Sequence, residues 1–306
     1  MKLYRCTLTP KSSFGTPLRG DTLFGHICWM IYYNWNQEKL NNLLQSYREG
    51  KPFLVVSDGF AKGYLPKPKM PSCYLNEDAS CKKENRKKIW LTVEDLKSAN
   101  YKNAKKDSEV VEKKDREESV VKNSINYKTF TTTKGEFAPY SNREYLLNEK
   151  DIYFLLDENQ FTLYELKEVL KLFSLHGYGK DTTTGKGRFE LGDLEEKELD
   201  FNAKSFISLS PFALTNQDEV EDVFYEPFVK FGKFGGKWAY KNAFKKPILF
   251  LDSASVVVFK EQKKRKFFGQ AITNIALSDN KEQQQSVQQG YTILFPLKDL
   301  ECKQSN

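Results

Sequence analysis

The order in which two periodicities alternate constrains this chain most. Residues 2–9, KLYRCTLT, set Leu3, Arg5, Thr7 and Thr9 against Tyr4, Cys6 and Leu8, the two-residue repeat of a strand, and Pro10 closes it. After the loop KSSFGTPLRG, Asp21 is a good N-cap, and Leu23, Ile27, Met30, Ile31 and Asn34 recur at helical spacing; a continuation with Leu40, Leu43, Leu44 and Tyr47 completes a helical pair. KPFLVVSDGF and DIYFLL read as the second and third strands. TLYE, Thr162 to Glu165, is a capping box that opens a helix with the stripe Leu163, Leu166, Val169, Leu170 and Phe173, and GRFEL begins a fourth strand. Strand, helix, strand, strand, helix, strand is the ferredoxin-like βαββαβ order, so the expected fold class is α+β. From Phe201 onward KSFISLSPFAL, PILFLDSASVVVF and YTILFPL supply strands for a second unit of similar character. The expectation is therefore tandem ferredoxin-like domains over 1–197 and 198–306, related by architecture alone, since no tandem repeat of roughly 20–50 residues is visible.

Between about residues 66 and 150 the pattern weakens, which marks an insertion in the first domain. Pro66, Pro68 and Pro71 lead to a Lys/Glu tract from Lys102 to Glu118, and then to NSINYKTFTTTKGEFAPYS. The threonines and aromatics around TKGE predict a projecting, thumb-like hairpin with Gly135 near its turn. The carboxylates from Glu109 to Glu118 read as a solvated helix face.

Forty-eight Lys and Arg against 41 Asp and Glu leave a formal charge of +7, which fits a polyanionic partner without requiring one. The positive charge gathers in stretches read as turns and loops: KGYLPKPKMP, CKKENRKK, GKDTTTGKGR, FGKFGGK and KEQKKRKFFG. Several mix glycine or aromatic residues with the charge, the combination that single-stranded nucleic acid requires: amides and cations for phosphates, flat rings for bases. A mean hydropathy of −0.63 and the lack of a long apolar run argue against a membrane span. The amino terminus enters a strand directly, so no signal peptide and a cytoplasmic location are expected. Cys6, Cys28, Cys73, Cys81 and Cys302 contain no C-x-x-C pair, which fits neither a disulfide framework nor a zinc site.

HGYGKDTTTGKGRFEL, His176 to Leu191, carries four glycines, three threonines and three basic side chains. It is not a G-x-x-x-x-G-K-[ST] phosphate loop. Lys180 stands where that motif needs its first glycine, Gly187 where it needs a hydroxyl, and the run leaves a helix to enter a strand instead of the reverse. One or two glycines suffice for a helix-to-strand connection; four with flanking cations exceed that need.

TPLRGDTLFGHICW and GYGKDTTTGKGRFEL together closely resemble the RAMP superfamily of CRISPR-associated proteins, whose members bear a G-D-T-L-F-G-H-like helix start and a G-x-G-x-x-x-x-x-G-x-G loop leading into a strand. VKNSINYKTFTTTKGEFAPYS, FVKFGKFGGKWAY, KKPILFLDSASVVVF and GYTILFPL are similar to its Cas5-like branch, subunit four of the Csm complex of type III-A effectors. The resemblance spans nearly the whole chain. It implies tandem ferredoxin-like folds, recognition of the crRNA 5′ handle, docking to the large polymerase-like subunit, contact with a RAMP backbone subunit and with target RNA near the handle junction, and no catalysis. The sequence itself shows no H-E-x-x-H, no paired Asp motif and no Cys/His cluster at zinc spacing, so no metal or cofactor is expected. Carried onto this chain, Gly177, Gly179, Gly185 and Gly187 let backbone approach RNA where a Cβ would obstruct it. Tyr178 lies between them, Lys180, Lys186 and Arg188 supply charge for phosphates, and Thr182, Thr183 and Thr184 offer hydroxyls. Arg19, Gly20 and Asp21 sit at a helix start that favours an anion, although Asp21 also reads as a plain N-cap. Lys11, Ser12, His26, Lys233 and Gly235 complete the implied RNA-binding set. In the hairpin Tyr127, Lys128, Phe130, Lys134 and Phe137 are implied to bear on RNA near the junction of handle and guide; the alternative is a hairpin packed on a neighbouring subunit.

RAMP relatives include metal-independent endoribonucleases that process crRNA precursors through a histidine, so His26 and His176, the only two histidines, are the candidates for such chemistry. His26 in the apolar run LFGHICW reads as a packed, hydrogen-bonded residue, and His176 as a charge at the carboxyl end of a helix. A stand-alone RNA-binding module is the third class, but it ordinarily carries an aromatic signature on central strands that is not present here.

Overall fold

All seven residues of the strand Lys150–Leu156 are buried, so neighbours must cover both its faces and both its edges. The computed structural model supplies them and describes residues 1–77, 79–111, 115–132, 135–215, 219–240, 242–300 and 302. In chain order the first half contains β1 (Lys2–Pro10), α1 (Gly20–Asn34), α2 (Gln37–Arg48), β2 (Leu54–Val56), β3 (Phe60–Ala61), β4 (Tyr64–Pro66), β5 (Lys88–Thr92), β6 (Lys105–Lys106), β7 (Arg116–Lys122), β8 (Tyr140–Leu146), β9 (Lys150–Leu156), α3 (Leu163–His176), β10 (Phe189–Leu191) and β11 (Glu195–Glu196). The second half adds β12 (Asn202–Ser208), β13 (Val220–Phe224), β14 (Pro227–Lys230), β15 (Ile248–Leu251), β16 (Val256–Lys264), β17 (Phe267–Gly269) and β18 (Tyr291–Leu297).

The first sheet runs β10-β1-β9-β2, antiparallel throughout, with β11 beside β1 and β3 beside β9. Strand β1 buries Tyr4, Cys6 and Leu8 as its alternation predicts. Helix α1 buries Leu23, Phe24, Ile27, Met30 and Ile31, α3 buries Leu166, Val169, Leu170 and Phe173, and the two pack together. The Thr162 capping box is present: its hydroxyl accepts from the Glu165 amide at 3.2 Å, and the Glu165 carboxylate accepts from the Thr162 amide at 2.8 Å.

The second sheet runs β13-β16-β12-β18-β17. Numbering the principal strands of each half in chain order gives the same spatial sequence, fourth, first, third, second, in both. In the second half the described residues between strands contain only short helical turns where the first half has α1 and α3. Alternation divides this sheet between two cores. Ile207, Val256, Val258, Ile293 and Phe295 face the core shared with the first half, and Phe206, Val257, Phe259 and Leu294 face a smaller one closed by Phe212 and Phe268. The main core is thus continuous across both halves. Gln289, fully buried, fastens them as a strand would: its side-chain amide donates to the Val56 carbonyl at 2.7 Å and accepts from the Val56 amide at 2.9 Å.

The region read as an insertion holds more order than its sequence showed. Strands β4, β5 and β6 form a small sheet, and β7 pairs with β8 in a ribbon. Glu117 and Glu118 therefore lie on a strand and not on a helix face; among the described residues of that stretch only Asp107–Val110 is helical. The basic run that opens KEQKKRKFFG is likewise the outer end of strand β16 and not a loop, because Lys263 and Lys264 pair with Ala203 and Asn202.

Candidate nucleic-acid interface

Three segments far apart in sequence meet at the carboxyl end of α3. The loop after β1 lies along the glycine loop: Gly187 N donates to Ser13 O at 2.8 Å, Lys11 N to Arg188 O at 2.8 Å, Arg188 N to Ser12 Oγ at 3.0 Å and Lys180 N to Thr16 Oγ1 at 3.1 Å. The base of the β7–β8 ribbon joins them. Phe14 and Tyr145 exchange backbone hydrogen bonds of 2.8 Å, Lys180 Nζ donates to Asn142 Oδ1 at 3.0 Å, and Ser13 Oγ donates to Glu144 Oε2 at 2.7 Å.

All four loop glycines have positive φ, from +65° at Gly187 to +90° at Gly185, the left-handed region that a side chain disfavours. Three of them also serve the chain's own packing. A Cβ on Gly187 would lie 2.0 Å from the Tyr178 carbonyl oxygen, one on Gly179 would lie 2.8 Å from Thr16 Cβ, and one on Gly177 would lie 3.0 Å from the Gly187 carbonyl oxygen. Gly185 differs, because a Cβ there meets nothing within 4 Å. It follows a single 3-10 turn, Thr182–Thr184, in which the Asp181 carbonyl accepts from the amides of Thr184 and Lys186 and from Thr184 Oγ1.

The cations divide in the same way. Lys180 and Arg188 are exposed, as are Thr183 and Thr184, with Thr182 half-buried. Lys186 is not the free phosphate partner expected of it: it is buried and forms an ion pair with Glu144 on β8. Arg19 departs from expectation too. Its guanidinium bridges Asp58 at 2.9 Å and Asp252 at 2.8 Å and lies 4.9 Å from the centre of the Phe228 ring, so it ties the two halves together. Burial opposes the charge, but the two carboxylates outweigh it and hold the Arg19 pKa above its ordinary value.

The start of α1 already holds an anion, and it is the protein's own. Gly20 N donates to Asp58 Oδ1 at 2.7 Å, and a Cβ on Gly20 would lie 2.3 Å from the Val56 carbonyl oxygen. Asp21 is not the N-cap. Arg19 occupies that position without a side-chain cap, and Asp21 lies one residue inside the helix, buried, paired with Lys230 and accepting from Gln288 Nε2 at 2.5 Å. Gln288 in turn accepts from Lys245 Nζ at 2.6 Å, and burial together with Lys230 lowers the Lys245 pKa to about 8.

His26 sits behind the glycine loop. Its Nε2 accepts from Gly179 N at 3.2 Å, and its ring packs on Phe173 and Tyr178 at 5.5 and 5.1 Å. Burial, then Lys230 and His176, push its pKa down to about 4, so the ring is neutral and Nε2 is an acceptor. Tyr178 is fully buried, donating to Pro17 O at 2.5 Å and accepting from Arg19 N at 3.2 Å. His176 ends α3, as its position predicted, and is exposed.

At the far end of the ribbon a turn closed by Asn126 and Thr131 presents Tyr127 and Phe130, 88% and 81% exposed, with Lys128 exposed between them; Phe137 is half-buried, and Lys134 lies outside the described residues. Lys233 and Gly235 are exposed on a bend of the second half, where Lys233 Nζ lies 4.5 Å from the centre of the Phe244 ring and Gly235 abuts Trp29. Sequence reasoning missed Asp58, Glu144, Lys230 and Asp252. Glu144 lies in no quoted segment, Asp58, Lys230 and Asp252 lie in segments read as strands or for their family likeness, and only the fold reveals their partners.

The family model described as the RAMP superfamily matches residues 9–190. No curated protein is significantly similar to the chain in sequence. Among solved structures, a chain of the Csm1-Csm4 cassette in complex with cA4 aligns at a TM-score of 0.60 and 18% identity, covering 99% of this chain and 100% of that one. The same cassette with AMPPNP gives 0.59 and 17%, covering 98% and 99%. A chain of the Csm3-Csm4 subcomplex in the type III-A CRISPR-Cas interference complex gives 0.59 and 17%, covering 97% and 100%. At such identities the likeness is one of fold.

Proposed function

The chain belongs to the RAMP superfamily, and from that premise we propose that it is a non-catalytic RNA-binding subunit of a type III-A CRISPR effector, one that caps the crRNA 5′ handle and docks the large polymerase-like subunit and a RAMP backbone subunit in the cytoplasm. In this reading both sheets are ferredoxin-like domains, 1–197 and 198–306, and the β7–β8 ribbon is a thumb set against RNA near the junction of handle and guide. One observation carries it: beside Gly185, whose backbone stands open, Lys180, Arg188, Thr183 and Thr184 are exposed along a loop whose remaining residues are fixed from behind. That is a cradle for a ribose-phosphate strand, with cations and hydroxyls outside and packing inside. The structural relatives come from assemblies named for Csm subunits, which supports the choice of complex.

His26 offers little to the endoribonuclease alternative. A residue that ionises near pH 4 and spends Nε2 on the Gly179 amide is poorly matched to proton transfer at neutral pH. The deciding experiment is copurification of the tagged chain from cells carrying its complex. Short RNAs with one common 5′ sequence are the expected result. Cleavage of precursor RNA by the lone protein, abolished by His26→Ala in a folded variant, would overturn the proposal.

A further inference from the structure

Outside the glycine loop, the exposed side of α1 carries an aromatic ladder whose members come from separate stretches of the sequence that meet only in the fold. His176 stacks on Tyr33 with ring centres 5.9 Å apart and planes 12° from parallel, Tyr33 stacks on Trp29 at 5.7 Å and 28°, and Trp29 meets the edge of Trp238 at 5.3 Å. Trp238 belongs to the second half and reaches Trp29 through a turn built for close approach. Gly236 has φ +57°, and a Cβ on it would lie 2.9 Å from three carbons of the Trp29 ring. Lys237 Nζ lies over the Tyr32 and Trp238 rings at 5.4 and 5.7 Å.

Trp29 and Trp238 are half-buried at the edges of two cores, and the outer rings of the ladder are open. Tyr33 is 50% exposed, and His176 is exposed with Tyr33 as its one ring neighbour among the described residues, so the ladder has an open end. Its chemistry favours a nucleic acid over a protein partner: Lys237, which also pairs with Glu282 at 2.9 Å, lies over the Trp238 ring, and lysine is depleted at the centre of protein interfaces. Its place joins it to the strand proposed for the glycine loop, since His176 is bonded directly to Gly177, the first glycine of that loop. We propose that His176, Tyr33, Trp29 and Trp238 form a stacking platform for unpaired bases of the RNA whose backbone lies on the glycine loop. This rests on the RNA-binding reading and adds a base-dependent site to a backbone-dependent one.

The test compares full-length protein binding to a single-stranded oligouridylate and to an abasic ribose-phosphate strand of equal length. The intact strand is expected to bind about tenfold tighter and to quench tryptophan fluorescence. Tyr33→Leu combined with Trp238→Leu should erase that advantage and leave abasic affinity unchanged, and Tyr33→Leu alone, at a half-exposed site, should erase part of it should the pair fail to fold. Equal affinity for both strands would overturn the platform while leaving the cradle standing. Failure of both strands to bind would remove both. Variants that bind both strands like wild type but no longer hold a protein subunit would assign the rings to a protein contact and overturn the platform.

Discussion

Gly187 and Gly185 stand two residues apart with the same left-handed backbone, yet a methyl on the first would lie 2.0 Å from a carbonyl oxygen and a methyl on the second would meet nothing within 4 Å. Lys186 and Arg188 repeat the contrast, one buried on Glu144 and one exposed. The inner wall of the loop is occupied by the fold, and its outer lip is free for a ligand. A single motif can thus carry two separable functions in alternate residues, and residue type does not say which residue serves which.

Substitutions along the wall should cost stability, and those along the lip should cost binding. The largest effect is expected from Gly187→Ala, about 4 kcal/mol in urea unfolding, against about 1 kcal/mol for Gly185→Ala, where only the left-handed backbone resists. Equal losses at the two sites would collapse the distinction. Arg19→Met comes next: it leaves buried Asp58 without its cation, while Asp252 keeps Lys69 at 2.7 Å, and about 3 kcal/mol should be lost in the same assay.

His26 gives the wall a pH signature. Its folded pKa near 4 lies below the ordinary 6.5, so the unfolded chain binds the proton first, and the stability due to neutral His26 is present above pH 6.5 and lost as pH falls toward 4. Thermal melts of wild type and His26→Gln across pH 4–7 should converge at the acid end; parallel curves would mean that His26 does not titrate in the fold. The smallest stability change, within about 0.5 kcal/mol, is expected for Lys180→Ala and Arg188→Ala. Each should nevertheless lower the salt dependence of RNA binding by about one phosphate contact. An unchanged salt slope would make the lip as structural as the wall.

The first half was legible because its helices announce themselves: the apolar stripes of α1 and α3 and the Thr162 capping box each follow from local rules. The second half repeats the strand order without those helices, so periodicity revealed strands but not their arrangement, which pairing across the sheet decides. The PILFLDSASVVVF run shows the limit. It is two strands, β15 and β16, in different sheets, separated at Asp252–Ser255 where Ala254 takes φ +66°, a conformation that no local signal marks in alanine. At the site the motifs located the loop and the helix start, but not the sign of each contact. Arg19 and Lys186 read as free cations until Asp58, Asp252 and Glu144 arrive from elsewhere in the fold.

The amides behind the loop, those of Gly179, Lys180, Gly187 and Arg188, all have acceptors in place before any strand arrives. A loop fastened in that way has little conformational entropy left to lose, so in the proposed association the ordering cost would fall on the flexible polynucleotide and not on the protein. In the proposed complex the surface would act as a mould: a chain able to adopt many shapes would be held in one, and whatever docks next would meet a terminus of defined geometry.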